Sequence, residues 1–210
     1  MTWYAVVIVS TYTLFVEWER RRAFWIAAVG CLLIAPPLTK LVDYWVLALQ
    51  WNLVADATTA LGFSGVVSAF GGMLYVSLAW AATAWYSYDA GVATTGAIVL
   101  GALITLAITS TVLPQDVALV LCAVAASAAG IGLASRRSQI PKWKARIVSQ
   151  RDPLLLIGGG SAVVVVLLSQ LFQVEMAATG RFVSVIAHGT GFATGMTITV
   201  PVLMLESAGR

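Results

Sequence analysis

Apolar residues run through this chain in long continuous stretches and do not alternate with polar positions. A bilayer core of about 30 Å needs roughly 20 apolar residues per helix. A membrane β-barrel would require alternating apolar and polar positions, so the continuous runs predict helices. We therefore expect an all-α fold, a polytopic bundle of about seven transmembrane spans (roughly six to eight). Residues 1–210 would form one membrane-embedded helical domain.

The predicted spans are bounded by polar or helix-breaking residues. Trp3–Val16 is the first run, and a cleavable signal peptide is its alternative interpretation. No basic region precedes the run, so we expect a retained span. Pro36-Pro37 cannot continue a helix and is predicted to end the second run, Ala23–Ala35. The clearer spans that follow are Ser64–Trp85, Ala93–Val112, Val117–Ala134, Leu154–Phe172 and Phe182–Leu205.

Residues 38–61 leave two alternatives open. Tryptophan and tyrosine favour the headgroup zone, so the segment could be interfacial or re-entrant. It could instead be a further span that carries polar residues. The polar and aromatic residues in question are Lys40, Asp43, Tyr44, Trp45, Gln50, Trp51, Asn52 and Asp56.

The charges indicate how the helices are oriented. Only 10% of the residues are charged and 60% are hydrophobic, whereas about 25% are charged in a soluble domain. Nine of the twelve basic residues lie in two stretches, 20–22 and 136–151. Basic loops of this kind are typically cytoplasmic, and we prefer that interpretation to nucleic-acid binding. If 38–61 does not span, both loops fall on one side, with seven spans and an outside N-terminus.

We therefore expect a multi-pass protein of the cell membrane. In the preferred topology, loops 17–22 and 135–152 lie in the cytoplasm. Cys31 and Cys122 both lie in apolar runs and are predicted to pack as small hydrophobic residues. Their placement indicates neither a disulfide framework nor a metal site.

Two motifs carry candidate chemistry: Gly62-Phe63-Ser64-Gly65 and His188-x-x-Gly191-x-x-x-Gly195. Each opens a long apolar run, and the histidine is the only one in the chain. Serine is a poor nucleophile unless a base is adjacent, and imidazole accepts a proton near neutral pH. With the 136–151 loop cytoplasmic, both residues lie near the outer ends of helices that run inward. They can therefore share one depth in the membrane.

Together these motifs resemble the rhomboid family of intramembrane serine proteases, in which a GxSG serine is the nucleophile and the histidine of an HxxGxxxG helix is its general base. The resemblance covers two helices, about a fifth of the chain. It implies a rhomboid-like bundle in which a Ser64–His188 dyad cleaves transmembrane protein substrates within the lipid bilayer. It also implies that no metal or organic cofactor is needed and that nucleic acid is not a partner.

Four glycines are predicted to let the two motif helices approach closely, since small residues at helix interfaces allow close packing. They are Gly62, Gly65, Gly191 and Gly195. The tetrahedral intermediate of a serine protease also needs hydrogen-bond donors. The backbone N–H of Ser64 is one candidate, at a helix N-terminus with a favourable dipole. Asn52, the one asparagine in the chain, is the predicted second donor.

Two other functions remain open for the same residues. The chain could be a non-catalytic rhomboid-like protein that binds transmembrane segments. It could also be a small transporter or structural membrane protein in which Ser64 and His188 are packing polar groups. The run Gly158-Gly159-Gly160-Ser161 lacks the lysine of a phosphate-binding loop, so we expect it to serve helix packing.

Overall fold

The computed structural model describes residues 2–45, 64–109, 151–171 and 185–208, and within these ranges every regular element is a helix. The all-helical prediction is therefore confirmed for the described part of the chain. The predicted span Val117–Ala134 lies outside the described residues. The helices are α1 (Thr2–Glu17), α2 (Arg21–Tyr44), α3 (Ser64–Trp85), α4 (Tyr88–Thr109), α5 (Arg151–Leu171) and α6 (Val185–Ala208).

Five of these helices, α2 to α6, are long and apolar enough to cross a membrane. The apolar part of α1, Ala5–Glu17, is shorter. The bounds of α3 match the predicted span Ser64–Trp85 at both ends. Several long apolar helices in one chain are typical of a multi-pass membrane protein.

Helix α2 corrects one prediction. It continues through Pro36 and Pro37 as far as Tyr44, so the expectation that the two prolines end the helix is wrong. Both proline rings are exposed on the outside of the bundle. The hydroxyl of Thr39 donates to the carbonyls of Ala35 and Pro36, at 2.8 and 3.0 Å. Packing against neighbouring helices compensates for the backbone bonds that proline removes in membrane helices, and α2 packs closely along α6.

Helices α1 and α2 form an antiparallel hairpin. The turn between them is short, and the rings of Tyr12 and Phe24 meet across it with centroids 5.1 Å apart. Arg20, the residue just before α2, lies 3.5 Å from the carboxylate of Glu206 near the end of α6. The α1–α2 turn and the C-terminus of α6 therefore share one end of the bundle, which we call the arginine end.

Helix α3 occupies the centre of the bundle and is buried along most of its length. It contacts each of the other five described helices, most extensively α6. Helix α5 runs antiparallel to it, since Gly160 lies against Leu78 and Leu167 lies against Gly71. Helix α5 thus begins at the arginine end.

The opposite end of the bundle, which we call the serine end, contains the starts of α3 and α6 and the last turns of α2. Trp45 and Ser64 both lie there, so the connection between them begins and finishes at the same end of the bundle. The first basic stretch, Arg20–Arg22, lies at the arginine end. So does Arg151, the last residue of the second basic stretch. Of the segment 38–61, residues 38–44 belong to α2, and residues 46–61 lie outside the described residues.

Candidate active site

Ser64 and His188 both lie in the first turn of a helix at the serine end. Ser64 is the first residue of α3, and His188 is the fourth residue of α6. Both residues are half-buried. The Nδ1 atom of the His188 ring is shielded from solvent.

The backbones of α3 and α6 touch along a seam of glycines. A Cβ atom placed on Gly191 would overlap the carbonyl of Gly65, and one placed on Gly195 would overlap the carbonyl of Ala69. The fit is reciprocal, because a Cβ atom on Gly72 would overlap the carbonyl of Phe192. Only glycine fits at these positions without moving one backbone away from the other.

The order of these contacts gives the direction of the two helices. Moving four residues from Gly191 to Gly195 in α6 moves the contact four residues along α3, from Gly65 to Ala69. The helices are therefore parallel. Ser64 comes just before the first contact and His188 one turn before it, so the two lie within about 5.4 Å of each other along the helix axes. Side chains in helices lean toward the N-terminus, so both lean toward the serine end.

Hydroxyl side chains along the seam are bonded within their own helices. Ser68 donates to the carbonyl of Ser64 at 2.9 Å, and Thr199 donates to that of Gly195 at 2.6 Å. Such back-bonding satisfies a hydroxyl without a partner on the facing helix. The seam can therefore hold polar residues and still keep the two backbones in contact.

Thr39 brings a third helix to the serine end. A Cβ atom on Gly65 would lie 3.0 Å from the methyl carbon of Thr39 and 3.1 Å from its hydroxyl oxygen. Thr39 is only 7% exposed. Sequence reasoning missed this residue because it placed the end of the second helix at Pro36-Pro37, and no motif marks a lone threonine.

The other residues singled out in the sequence lie away from the contact between α3 and α6 or outside the described residues. Asn52 and Gly62 lie outside the described residues, as does Cys122. Cys31 is a buried free thiol. In the glycine run of α5, a Cβ atom on Gly160 would lie 2.8 Å from the side chain of Leu78. Among the described residues, no group of three histidine, cysteine, aspartate or glutamate side chains could hold a metal ion.

A second polar cluster lies at the arginine end and was not predicted from the sequence. The guanidinium of Arg20 contacts Glu206, donates to the hydroxyl of Ser207 at 3.1 Å and lies 4.5 Å from the ring centroid of Trp18. Glu19 has a φ of 57°, in the left-handed region that few side chains adopt. This turn directs Arg20 inward, where it is 8% exposed.

Comparison with protein-family models, with curated proteins and with solved structures finds no match to this chain. The resemblance to rhomboids therefore depends on the two motifs, and the packing of α3 on α6 is an observation independent of that resemblance.

Proposed function

We propose that this chain is a rhomboid-like intramembrane serine protease that cleaves transmembrane proteins with a dyad of Ser64 and His188. The observation that supports the proposal is the backbone contact between α3 and α6 at Gly65 and Gly191. Because these helices are parallel and touch near their first turns, an alcohol and an imidazole far apart in the sequence come to the same end of the bundle. That proximity is the first requirement of a serine–histidine mechanism.

The proposed reaction is acyl transfer to Ser64. The serine Oγ attacks the carbonyl carbon of a substrate segment that has locally unwound, while His188 takes the hydroxyl proton and returns it to the leaving amine. Backbone N–H groups in the first turn of α3 point out of the serine end, where the helix dipole favours the developing negative charge. Water then enters at the serine end and hydrolyses the acyl-enzyme.

We further propose seven spans, formed by the six described helices and Val117–Ala134, with the N-terminus outside. The basic loops 17–22 and 135–152 would be cytoplasmic, because basic residues accumulate on that side of cell membranes. Support comes from the shared position of Arg20–Arg22 and Arg151 at the arginine end. Ser64 would then face the outer leaflet.

Labelling with a fluorophosphonate probe tests the proposal. The detergent-solubilised protein is compared with its Ser64→Ala and His188→Ala variants, and Ser68→Ala serves as a matched control, one turn further along the same helix. We expect labelling of the wild type and of Ser68→Ala, and loss of labelling in the other two.

A folded wild-type protein that does not label would refute the catalytic proposal. It would favour the two non-catalytic functions, a protein that binds transmembrane segments or a small transporter or structural protein. Cysteines placed at 64 and 188 then separate these two. A rhomboid-like relative should still form the cross-link between them, whereas a transporter has no need of that proximity.

A further inference from the structure

We propose that the hydroxyl of Thr39 donates a hydrogen bond to the oxyanion formed when Ser64 attacks its substrate. This inference rests on the proposed function and adds a catalytic residue from a third helix, α2. It concerns a side chain that none of the sequence motifs includes.

The position of Thr39 carries the inference. Its methyl carbon and hydroxyl oxygen are the atoms nearest to a Cβ atom built on Gly65, at 3.0 and 3.1 Å. Gly65 directly follows Ser64 at the start of α3, so Thr39 lies beside the helix end from which the backbone N–H groups emerge. Thr39 is also buried, and hydrogen bonds are stronger where water is excluded.

The hydroxyl of Thr39 donates within its own helix. Its proton is shared between the carbonyls of Ala35 and Pro36, in the same turn of α2. Threonine occupies two χ1 rotamers in helices, because its hydroxyl can bond a carbonyl of the preceding turn. Rotation about χ1 would exchange an intrahelical acceptor for a charged one, and hydrogen bonds to charged acceptors are roughly twice as strong.

In the proposed step the new bond joins Ser64 Oγ to the carbonyl carbon, and the π-electron pair of the carbonyl moves to its oxygen. The hydroxyl proton of Ser64 passes to His188. Thr39 keeps its own proton and only donates a hydrogen bond to the negative oxygen, beside the N–H groups of α3. When the intermediate collapses, the electron pair on the oxygen re-forms the carbonyl double bond and the C–N bond of the substrate breaks. The amine nitrogen keeps the electron pair of that bond and takes the proton from His188, which leaves the acyl group on Ser64.

A purely structural role for Thr39 makes the opposite prediction about which atom matters. If the threonine only spaces α2 from Gly65, the methyl group and the total volume should matter and the hydroxyl should not. Thr39→Val keeps the volume and removes the hydroxyl, whereas Thr39→Ser keeps the hydroxyl and removes the methyl. The two variants therefore distinguish a donor from a spacer.

The experiment measures how fast purified wild-type and variant proteins react with a fluorophosphonate, over a range of probe concentrations, with thermal unfolding in parallel. We expect Thr39→Val to lower the maximal labelling rate about 100-fold with little change in the half-saturating concentration. Thr39→Ser should stay within about threefold of wild type. Thr39→Ala and Thr39→Ser differ only by the hydroxyl oxygen, so this pair answers the same question if Thr39→Val does not fold.

The inference is wrong if the hydroxyl-free variants label as fast as wild type, or if Thr39→Ser is as slow as they are. Either result would leave the proposed dyad intact. A folded wild-type protein that does not label refutes the proposed function itself, and the role of Thr39 with it.

Discussion

Gly191 lies against the backbone of Gly65, so closely that a single methyl group on Gly191 would overlap the Gly65 carbonyl. The obstructing atoms of Gly65 belong to the main chain, so no change of side-chain rotamer can relieve the overlap. This contact fixes the distance between α3 and α6 immediately beside Ser64 and one turn from His188. The stability of the bundle and the geometry of the candidate site thus depend on the same pair of glycines.

Gly191→Ala should therefore destabilise the protein by about 1–3 kcal/mol, the usual cost of inserting a methyl group where there is no space. Gly189→Ala is the matched control in the same turn of α6, since a Cβ atom there meets nothing within 4 Å. Thermal unfolding in detergent compares the two variants with wild type. Equal unfolding temperatures for both variants would contradict the close contact between the helices.

Gly65→Ala should behave differently, because its obstruction is a side chain. The new methyl group would lie 3.0 Å from the methyl carbon of Thr39, which must move by a few tenths of an ångström. Thr39→Ala removes the obstruction, so the double variant should be more stable than the sum of the single effects by about 1 kcal/mol. A double-mutant cycle of unfolding free energies measures this coupling, and additive effects would show that Thr39 does not contact Gly65.

The sequence predicted most accurately what depends on local pattern. The bounds of α3 follow from an apolar run that opens at Ser64 and closes at Trp85, where polar and aromatic interface residues take over. The spacing of Gly191 and Gly195 likewise predicted one helix face of small residues that allows the helix of Ser64 to approach closely. In the structure, both glycines lie on the face that meets α3.

What the sequence did not reveal depends on contacts between distant segments. A proline pair normally ends a helix, yet Pro36 and Pro37 lie inside α2 because packing on α6 and an exposed surface for the rings outweigh the local preference. Thr39 was missed for the same reason, since it follows the prolines. The contact of Arg20 with Glu206 joins residues 186 positions apart, and no local pattern marks it.

Arg20→Ala should destabilise the protein, because it removes a buried cation with three neighbours: the carboxylate of Glu206, the hydroxyl of Ser207 and the ring of Trp18. A hydrogen bond to a charged group contributes about 1.5–3 kcal/mol to stability, and the partial exposure of Glu206 places the expected loss at the lower end of that range. Arg21→Ala is the matched control, since Arg21 is exposed on the next position and surface changes usually stay within about 0.5 kcal/mol. The measurement is the free energy of unfolding of both variants and of the wild type in detergent. A similar decrease in both variants would show that the contacts of Arg20 do not stabilise the protein.

The orientation of the bundle makes a prediction that does not depend on catalysis. Arg21, the first residue of α2, and Ser87, between α3 and α4, are exposed at the arginine end, whereas Trp45 is exposed at the serine end. Single cysteines at these positions, in a background with Cys31→Ala and Cys122→Ala, can be tested with a membrane-impermeant maleimide on intact cells. Because basic residues mark the cytoplasmic side, only the cysteine at position 45 should react until the cells are permeabilised. Reaction at 21 and 87 but not at 45 would invert the proposed topology. If 21 and 87 react differently from each other, the two positions do not lie at the same end of the bundle.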